Sequence, residues 1–389
     1  MPKRVAIVAT IYEYLSHGQH IGDRFLVGYP WQGRWRKPDL QVVSLYVDQK
    51  PKGDLSAARS REFGFPVYPT IAETLRCGGD KLAVDAVLII GEHGDYPDNE
   101  IGQKLYPRYE FFKQCVEVFE KDGRTVPVYN DKHLSYSFEK AKWMVDQSRR
   151  LGFPMLAGSS IPVTWRLPDV DMPYGAEVQE ALSVGFGKYD HTDFHALEGM
   201  QCMIERRKGG EAGVRRVELL EGDAVWKAAD ARAWSNDLLV AALSRSDTPG
   251  GLTREDGRTQ DLVGSGQLRK ITKNPSAWLM ERNDGLKTTL LMLPGTVKDF
   301  TFAARLKGRS AILSTQFFAS PEPNVTYSAC LAHKVAEMFE TGKAPYPVER
   351  TLLVTGIIES GMRSRGRAVE TPHLAIRYRG PAASQHARS

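Results

Sequence analysis

Six of the nine histidines in this 389-residue chain stand in four short runs, three of which also carry carboxylates or lysine. The runs are His17 and His20, Glu92-His93-Gly94-Asp95, Asp131-Lys132-His133, and His191-Thr192-Asp193-Phe194-His195. An imidazole has an unperturbed pKa of about 6.5, so it can take up and return a proton at neutral pH. His191 and His195 are four residues apart, and on a helix they would share one face. That spacing lets two imidazoles hold one divalent metal ion. The same groups can equally hydrogen-bond a hydroxyl-rich small molecule, which requires no metal. Arg166 and the Asn236-Asp237 pair are further candidates for binding hydroxyls or a carboxylate. Trp31, Trp35, Trp165 and Trp234 can stack on a ring or pack in a core.

These residues need a scaffold, and the hydrophobic pattern supplies one. Up to Gly158 the chain alternates short β-branched runs with amphipathic stretches, the pattern of βαβ units around a parallel sheet. Strands are expected at Arg4 to Ala9, Leu40 to Val47, Pro66 to Tyr68, Ala86 to Ile90, Val126 to Tyr129 and Met155 to Ala157. Their runs of Val, Ile and Leu suit strands covered on both faces. Helices are expected at Ser56 to Phe63, Thr70 to Leu75, Leu105 to Lys121 and Ser137 to Leu151. The first three histidine-containing runs fall where strands end.

Beyond Gly158 the strand-like pieces lie next to one another: Arg216 to Glu221, Ala277 to Arg282, Thr288 to Leu293, Phe300 to Ala304 and Ala311 to Ser314. Consecutive strands favour an antiparallel or mixed sheet, so this half reads as α+β. Helices are expected at Phe194 to Arg206, Ser235 to Leu243, Tyr327 to Glu340 and Glu349 to Gly366, a long loop at Ser244 to Gly266, and a frayed tail from Gly380.

Composition excludes several classes. The net charge of +5 is spread along the chain, which points away from nucleic acid and membrane surfaces. Cys77, Cys115, Cys202 and Cys330 form no Cys-x-x-Cys pair, as expected of free thiols in a reducing compartment. The first apolar run is too short for a signal peptide, so the expected location is the cytoplasm.

Three stretches carry a family resemblance. Phe63 to Ile90 (FGFPVYPTIAETLRCGGDKLAVDAVLII) and Thr125 to Gly158 (with VPVYNDKHLSYSFEKAKWMVDQSRRLGFPMLAG) are similar to the strand-and-helix succession of the Gfo/Idh/MocA oxidoreductases. Glu337 to Glu370 resembles the closing helices of that family. The resemblance implies an α/β fold: a Rossmann-like domain at 1–158 and an α+β domain at 159–389 with a large open, mostly antiparallel sheet that also serves oligomerisation. It implies NAD or NADP as cofactor, a sugar or cyclic polyol as substrate, a homo-oligomer, and a site at the carboxyl ends of the parallel strands between the domains.

By the same resemblance Lys132 matches the lysine of the Glu-Lys-Pro motif and is the expected catalytic residue. A buried ammonium there lowers the pKa of a substrate hydroxyl and orients it. Asp131 and His133 flank it, His133 standing where the family has proline. His195 matches the catalytic histidine of the second motif, with His191 at the aspartate position. Asp131, His133, Trp165, Arg166, His191 and Asp193 are the expected substrate contacts. Ala9, Thr10, Gly18, Gly22, Asp48, Gly91, Glu92 and His93 are the expected cofactor contacts. Asp48 ends the second long strand, where an acid binds the adenosine ribose.

The cofactor loop departs from the family. Instead of Gly-x-Gly-x-x-Gly after the first strand, an insertion with Tyr12, Glu13 and Tyr14 leaves only Gly18 and Gly22, and Glu13 and Asp23 would repel a pyrophosphate. A second reading follows: a family member with altered cofactor use, performing isomerisation, lysis or hydrolysis of a sugar-like substrate by acid/base chemistry or with a divalent metal on His191 and His195. Retention of both Lys132 and His195 weighs against a non-catalytic sensor.

Overall fold

The computed structural model describes residues 1–187, 189–323 and 325–388. In chain order the elements begin β1 (Lys3–Ala9), α1 (His17–Val27), β2 (Tyr29–Trp31), β3 (Arg34–Arg36), β4 (Leu40–Val47), α2 (Ser56–Phe63) and α3 (Ile71–Arg76). There follow β5 (Ala86–Ile90), α4 (Arg108–Asp122), β6 (Val128–Asp131), α5 (Phe138–Leu151), β7 (Met155–Gly158) and β8 (Arg166–Leu167). Next come β9 (Val178–Gly185), α6 (Tyr189–Ile204), β10 (Val214–Glu221), α7 (Asp223–Asp230), α8 (Asn236–Leu243) and α9 (Gln267–Ile271). The chain continues through β11 (Ser276–Arg282), β12 (Lys287–Met292), β13 (Phe300–Leu306), β14 (Leu313–Phe317), α10 (Tyr327–Thr341), α11 (Glu349–Arg363) and β15 (Val369–Glu370). Two compact units result, one from Met1–Val163 with Ser320–Thr355 and one from Thr164–Ala319 with Gly356–Ala387.

The first unit is built on a five-stranded parallel sheet in the order β4-β1-β5-β6-β7. Val5–Ala9 and Ala86–Ile90 have no exposed surface, as parallel strands covered on both faces require. The chain steps from β1 to the edge strand β4 and then back across to β5. The reversal at β1/β5 leaves a crevice at the carboxyl ends of these strands. Side-chain caps start the helices: Ser16 accepts from the Gln19 amide, Thr70 from that of Glu73 and Ser137 from that of Lys140. Helix α4 begins at Arg108 rather than Leu105 because Pro107 disfavours a helical Tyr106 and lacks an N–H. Helix α10 packs beside α1, and Lys3 donates to the last carbonyls of α10 at Phe339 and Glu340, where a cation is favoured. The expected strand at Pro66 to Tyr68 reduces to one bridge between Leu45 and Val67.

The second unit carries an eight-stranded sheet in the order β15-β10-β11-β12-β9-β13-β14-β8, antiparallel except where β9 lies beside β12. Helices α7 and α8 cover one face, burying Leu182, Val184, Leu291 and Ala303 against Val225, Leu238 and Leu239. Helix α6 covers the other face, so closely that a Cβ on Gly185 would stand 3.2 Å from that of Ala196. The segment Ser244 to Gly266 has neither helix nor named strand, only a bridge between Thr253 and Thr259.

The expectation of a frayed segment from Gly380 is corrected. Arg206 donates to the carbonyls of Pro381 (2.6 Å) and Ala382 (3.2 Å), and His386 pairs with Asp169 at 2.6 Å. A nearly buried guanidinium needs acceptors, and this segment supplies them. Among the described residues no helix is long and apolar enough to cross a membrane.

Candidate active site

The carboxyl ends of β1, β5 and β6 bring one polar cluster together inside the first unit. Each strand ends in a residue that turns the chain sharply. Thr10 follows β1 and donates its hydroxyl to the Glu92 carbonyl at 2.7 Å, tying the two strand ends together. His93 after β5 and Lys132 after β6 have φ of 68° and 64°. Non-glycine residues seldom take this left-handed conformation and tend to do so where function demands it.

Glu92 is buried and accepts from Arg108, with the Lys132 ammonium 3.5 Å from its other oxygen. Arg108 has no exposed surface and also lies 3.2 Å from His133 Nε2. Its side chain fits because position 91 is glycine: a Cβ there would stand 2.5 Å from Arg108 Cγ. Asp131 is buried beside this group, with the Tyr129 hydroxyl at 3.3 Å and His17 Nδ1 at 2.6 Å. Glu92 lies between two cations, Arg108 and Lys132, and Asp131 is paired with His17. Such pairing permits burial.

Three imidazoles line one side. His17 opens α1, and its backbone N–H donates to His93 Nδ1 at 3.3 Å. Burial lowers the pKa of His93 to about 4 and that of His20 to about 3, with the neighbouring His17 acting in the same direction. Both rings are therefore neutral at pH 7.

A dinucleotide tests these residues in two places. Asp48 follows β4 with one carboxylate oxygen accepting from Tyr46 (2.7 Å) and the other from Tyr96 (2.6 Å). Both oxygens thus already accept a tyrosine hydroxyl, and a ribose there would share or displace these donors. The glycines of the loop serve another purpose. A Cβ on Gly18 would fall 2.3 Å from the Ile11 carbonyl oxygen and one on Gly22 would fall 2.6 Å from Tyr12 Oη, so the inserted loop itself fills the space they leave. Tyr12 is buried there and bonds Asp23, which Arg59 clamps with two hydrogen bonds. Gly18 and Gly22 thus form no glycine turn for a diphosphate.

Lys132, Asp131, Glu92, His93, Thr10 and Gly91 thus converge as strand ends, and Ala9 is fully buried in β1. His133 is held by Arg108. Arg108 and Tyr129, which nothing in the sequence singles out, join this cluster, and so does His17, expected at a strand end but without a role. The available signal was Ser16 as a helix cap, which sets His17 at the first turn of the helix after β1.

The other expected residues belong to the second unit. Asp193 is fully buried on α6, accepts from Trp278 Nε1 at 2.7 Å, and has its pKa raised to about 8 by burial. His195 packs its ring against Phe194 and Phe300, and His191 is exposed one turn earlier. Among the described residues, no group of three possible metal ligands contains both His191 and His195. Arg166 is buried in a pair with Asp171 (2.6 Å) beside the half-buried Trp165.

No family model matches the sequence, and no curated protein matches it. Solved structures do match its fold from end to end. GenD2 from gentamicin A biosynthesis, crystallised with NAD, has a TM-score of 0.59 at 13% identity, with 95% of this chain and 96% of that one covered. The myo-inositol dehydrogenase from Lactobacillus casei, in complex with NAD(H) and myo-inositol, has a TM-score of 0.57 at 12% identity over 95% and 97% of the two chains. The myo-inositol 2-dehydrogenase from Lactobacillus plantarum has a TM-score of 0.55 at 12% identity over 95% and 99%. At these identities the likeness is one of fold.

Proposed function

We propose that this chain is an NAD(P)-dependent oxidoreductase of the Gfo/Idh/MocA type acting on a hydroxyl of a sugar or cyclic polyol. The observation that carries the reading is Lys132: a buried ammonium held in a left-handed turn at the end of β6, 3.5 Å from Glu92, one strand away from the β1/β5 reversal of a parallel sheet. The fold shared with GenD2, crystallised with NAD, and with an inositol dehydrogenase in complex with NAD(H) and myo-inositol supports it.

A dinucleotide, when bound, supplies the hydride acceptor or donor, with its adenosine ribose on Asp48. The chain's own residues do the rest. Lys132 stabilises a developing alkoxide and orients the hydroxyl, Glu92, itself held by Arg108, keeps Lys132 in place, and His195 serves as acid/base. On this reading residues 1–158 form the dinucleotide domain and 159–389 the substrate and oligomerisation domain of a cytoplasmic homo-oligomer.

The test is the ligand content of the purified chain after denaturation, read by mass spectrometry and elemental analysis, followed by assays of inositols and hexoses with NAD+ or NADP+. Co-purifying dinucleotide and a reduced-nicotinamide signal are expected. Stoichiometric metal with no dinucleotide and no turnover would overturn the reading in favour of metal-assisted chemistry.

A further inference from the structure

We infer that His17, oriented by Asp131, is a proton acceptor for the substrate hydroxyl supplied by the first unit itself. This rests on the oxidoreductase reading for its substrate class, while the dyad stands on geometry. His17 Nδ1 lies 2.6 Å from Asp131 Oδ2, a carboxylate that is 2% exposed, whereas the imidazole is 22% exposed. Among the described residues Nε2 has no partner, and it is not among the buried nitrogens. A buried carboxylate on Nδ1 fixes the tautomer: the proton sits on Nδ1 and the lone pair on Nε2 faces outward.

The neighbours single out His17. His20 stacks on it at 6.1 Å, but both of its ring nitrogens are buried with no partner, so a charge there has no compensation. His93 lies edge-on at 5.1 Å with Nδ1 accepting the His17 backbone N–H, and burial with nearby Lys132 opposes its protonation. His133 Nε2 faces the Arg108 guanidinium. Glu92 favours charge on His93, Arg24 opposes it on His20, and Asp131 favours it on both, yet burial prevails at each. Of the imidazoles in this cluster only His17 combines an exposed nitrogen with a direct carboxylate partner.

The step is a simple proton transfer. The substrate O–H bond breaks, Nε2–H forms, and the imidazolium charge is matched by Asp131. Reversal returns the proton. The dyad occupies the first turn of α1, where the space at Gly18 and Gly22 is filled by the chain itself and no glycine turn is formed. The inserted loop that fills Gly18 and Gly22 is what brings His17 there.

The test uses the full chain with 15N-labelled histidine, His17 being assigned by H17Q. The expected spectrum at pH 8 shows His17 protonated at Nδ1 and bare at Nε2, with D131N removing that preference. An Nε2–H tautomer, or a ring indifferent to D131N, would overturn the dyad. With whichever inositol or hexose is oxidised, H17Q should lower kcat about 10²- to 10³-fold with KM changed only a few-fold, and D131N should shift the pH–rate profile. H17Q turnover within a few-fold of wild type would overturn the catalytic role. Failure of the whole panel with an intact Nδ1 tautomer would count against the oxidoreductase reading and leave the dyad standing.

Discussion

The two units each gather histidines and carboxylates, and they do so in opposite ways. In the first, three strands end side by side, and Lys132, Glu92, Asp131 and His17 converge from positions far apart in sequence, each with a partner. In the second, His191, Asp193 and His195 come from one helix, whose periodicity leaves the two histidines one turn apart on one face and turns Asp193 away from them. Asp193 goes into the sheet against Trp278, His195 lies among aromatic rings, and His191 faces solvent. Closeness along a helix distributes chemistry around an axis. Convergence of strand ends concentrates it.

Replacement of the two catalytic candidates puts the most strain on this comparison. Lys132→Ala is expected to reduce turnover of an oxidised polyol by about 10³-fold or more, with the fold retained by circular dichroism. His195→Ala, on the proposed assignment, is also expected to cost at least about 10²-fold. Unchanged turnover in the second variant would confine the catalytic groups to the first unit.

Asp193 sharpens the contrast through pH. Its carboxyl pKa is raised to about 8 by burial, so the folded chain holds a proton that the unfolded chain releases near pH 4. Stability from this group is therefore greatest below pH 4, falls by up to about 1.4 kcal/mol per pH unit between pH 4 and 8, and is flat above. Asp193→Asn keeps an acceptor for Trp278 and should flatten that slope by a few kcal/mol in denaturant titrations across this range. An unchanged slope would contradict the buried neutral acid. The smallest expected effect is that of Gly91→Ala, which forces Arg108 aside and should lower stability by about 1–3 kcal/mol in thermal unfolding.

Much of this architecture is legible in the chain. Leu40–Val47 and Ala86–Ile90 end where their patterns end, because a covered strand is a run of apolar residues bounded by polar ones, and helix Ser56–Phe63 ends where Gly64 takes the left-handed turn that caps it. Strand β9 escaped notice for a physical reason. Ala181, Ser183 and Gly185 face α6, where only small residues fit, so the strand lacks its hydrophobic stripe on that side. Helix α7 and the short β8 were likewise not anticipated. In the site, Lys132 was readable from the motif around it. The His17–Asp131 bond spans 114 positions, and nothing local in either residue announces the other. The tyrosines on Asp48 are similarly hidden, since Tyr96 reaches back from 48 positions away.

The way the chain is shared between the two units also orders its birth on the ribosome. The first unit opens the sequence with its parallel sheet, yet it needs Ser320–Thr355, including α10 beside α1, and these emerge only after the body of the second unit has been made. The second unit in turn needs Gly356–Ala387. Neither core can close while synthesis is still short of residue 355, so the usual sequence of a finished first domain followed by a second does not apply. The nascent sheet, with β1 and β5 apolar on both sides, must wait incomplete, and in that interval a chaperone has the most to bind.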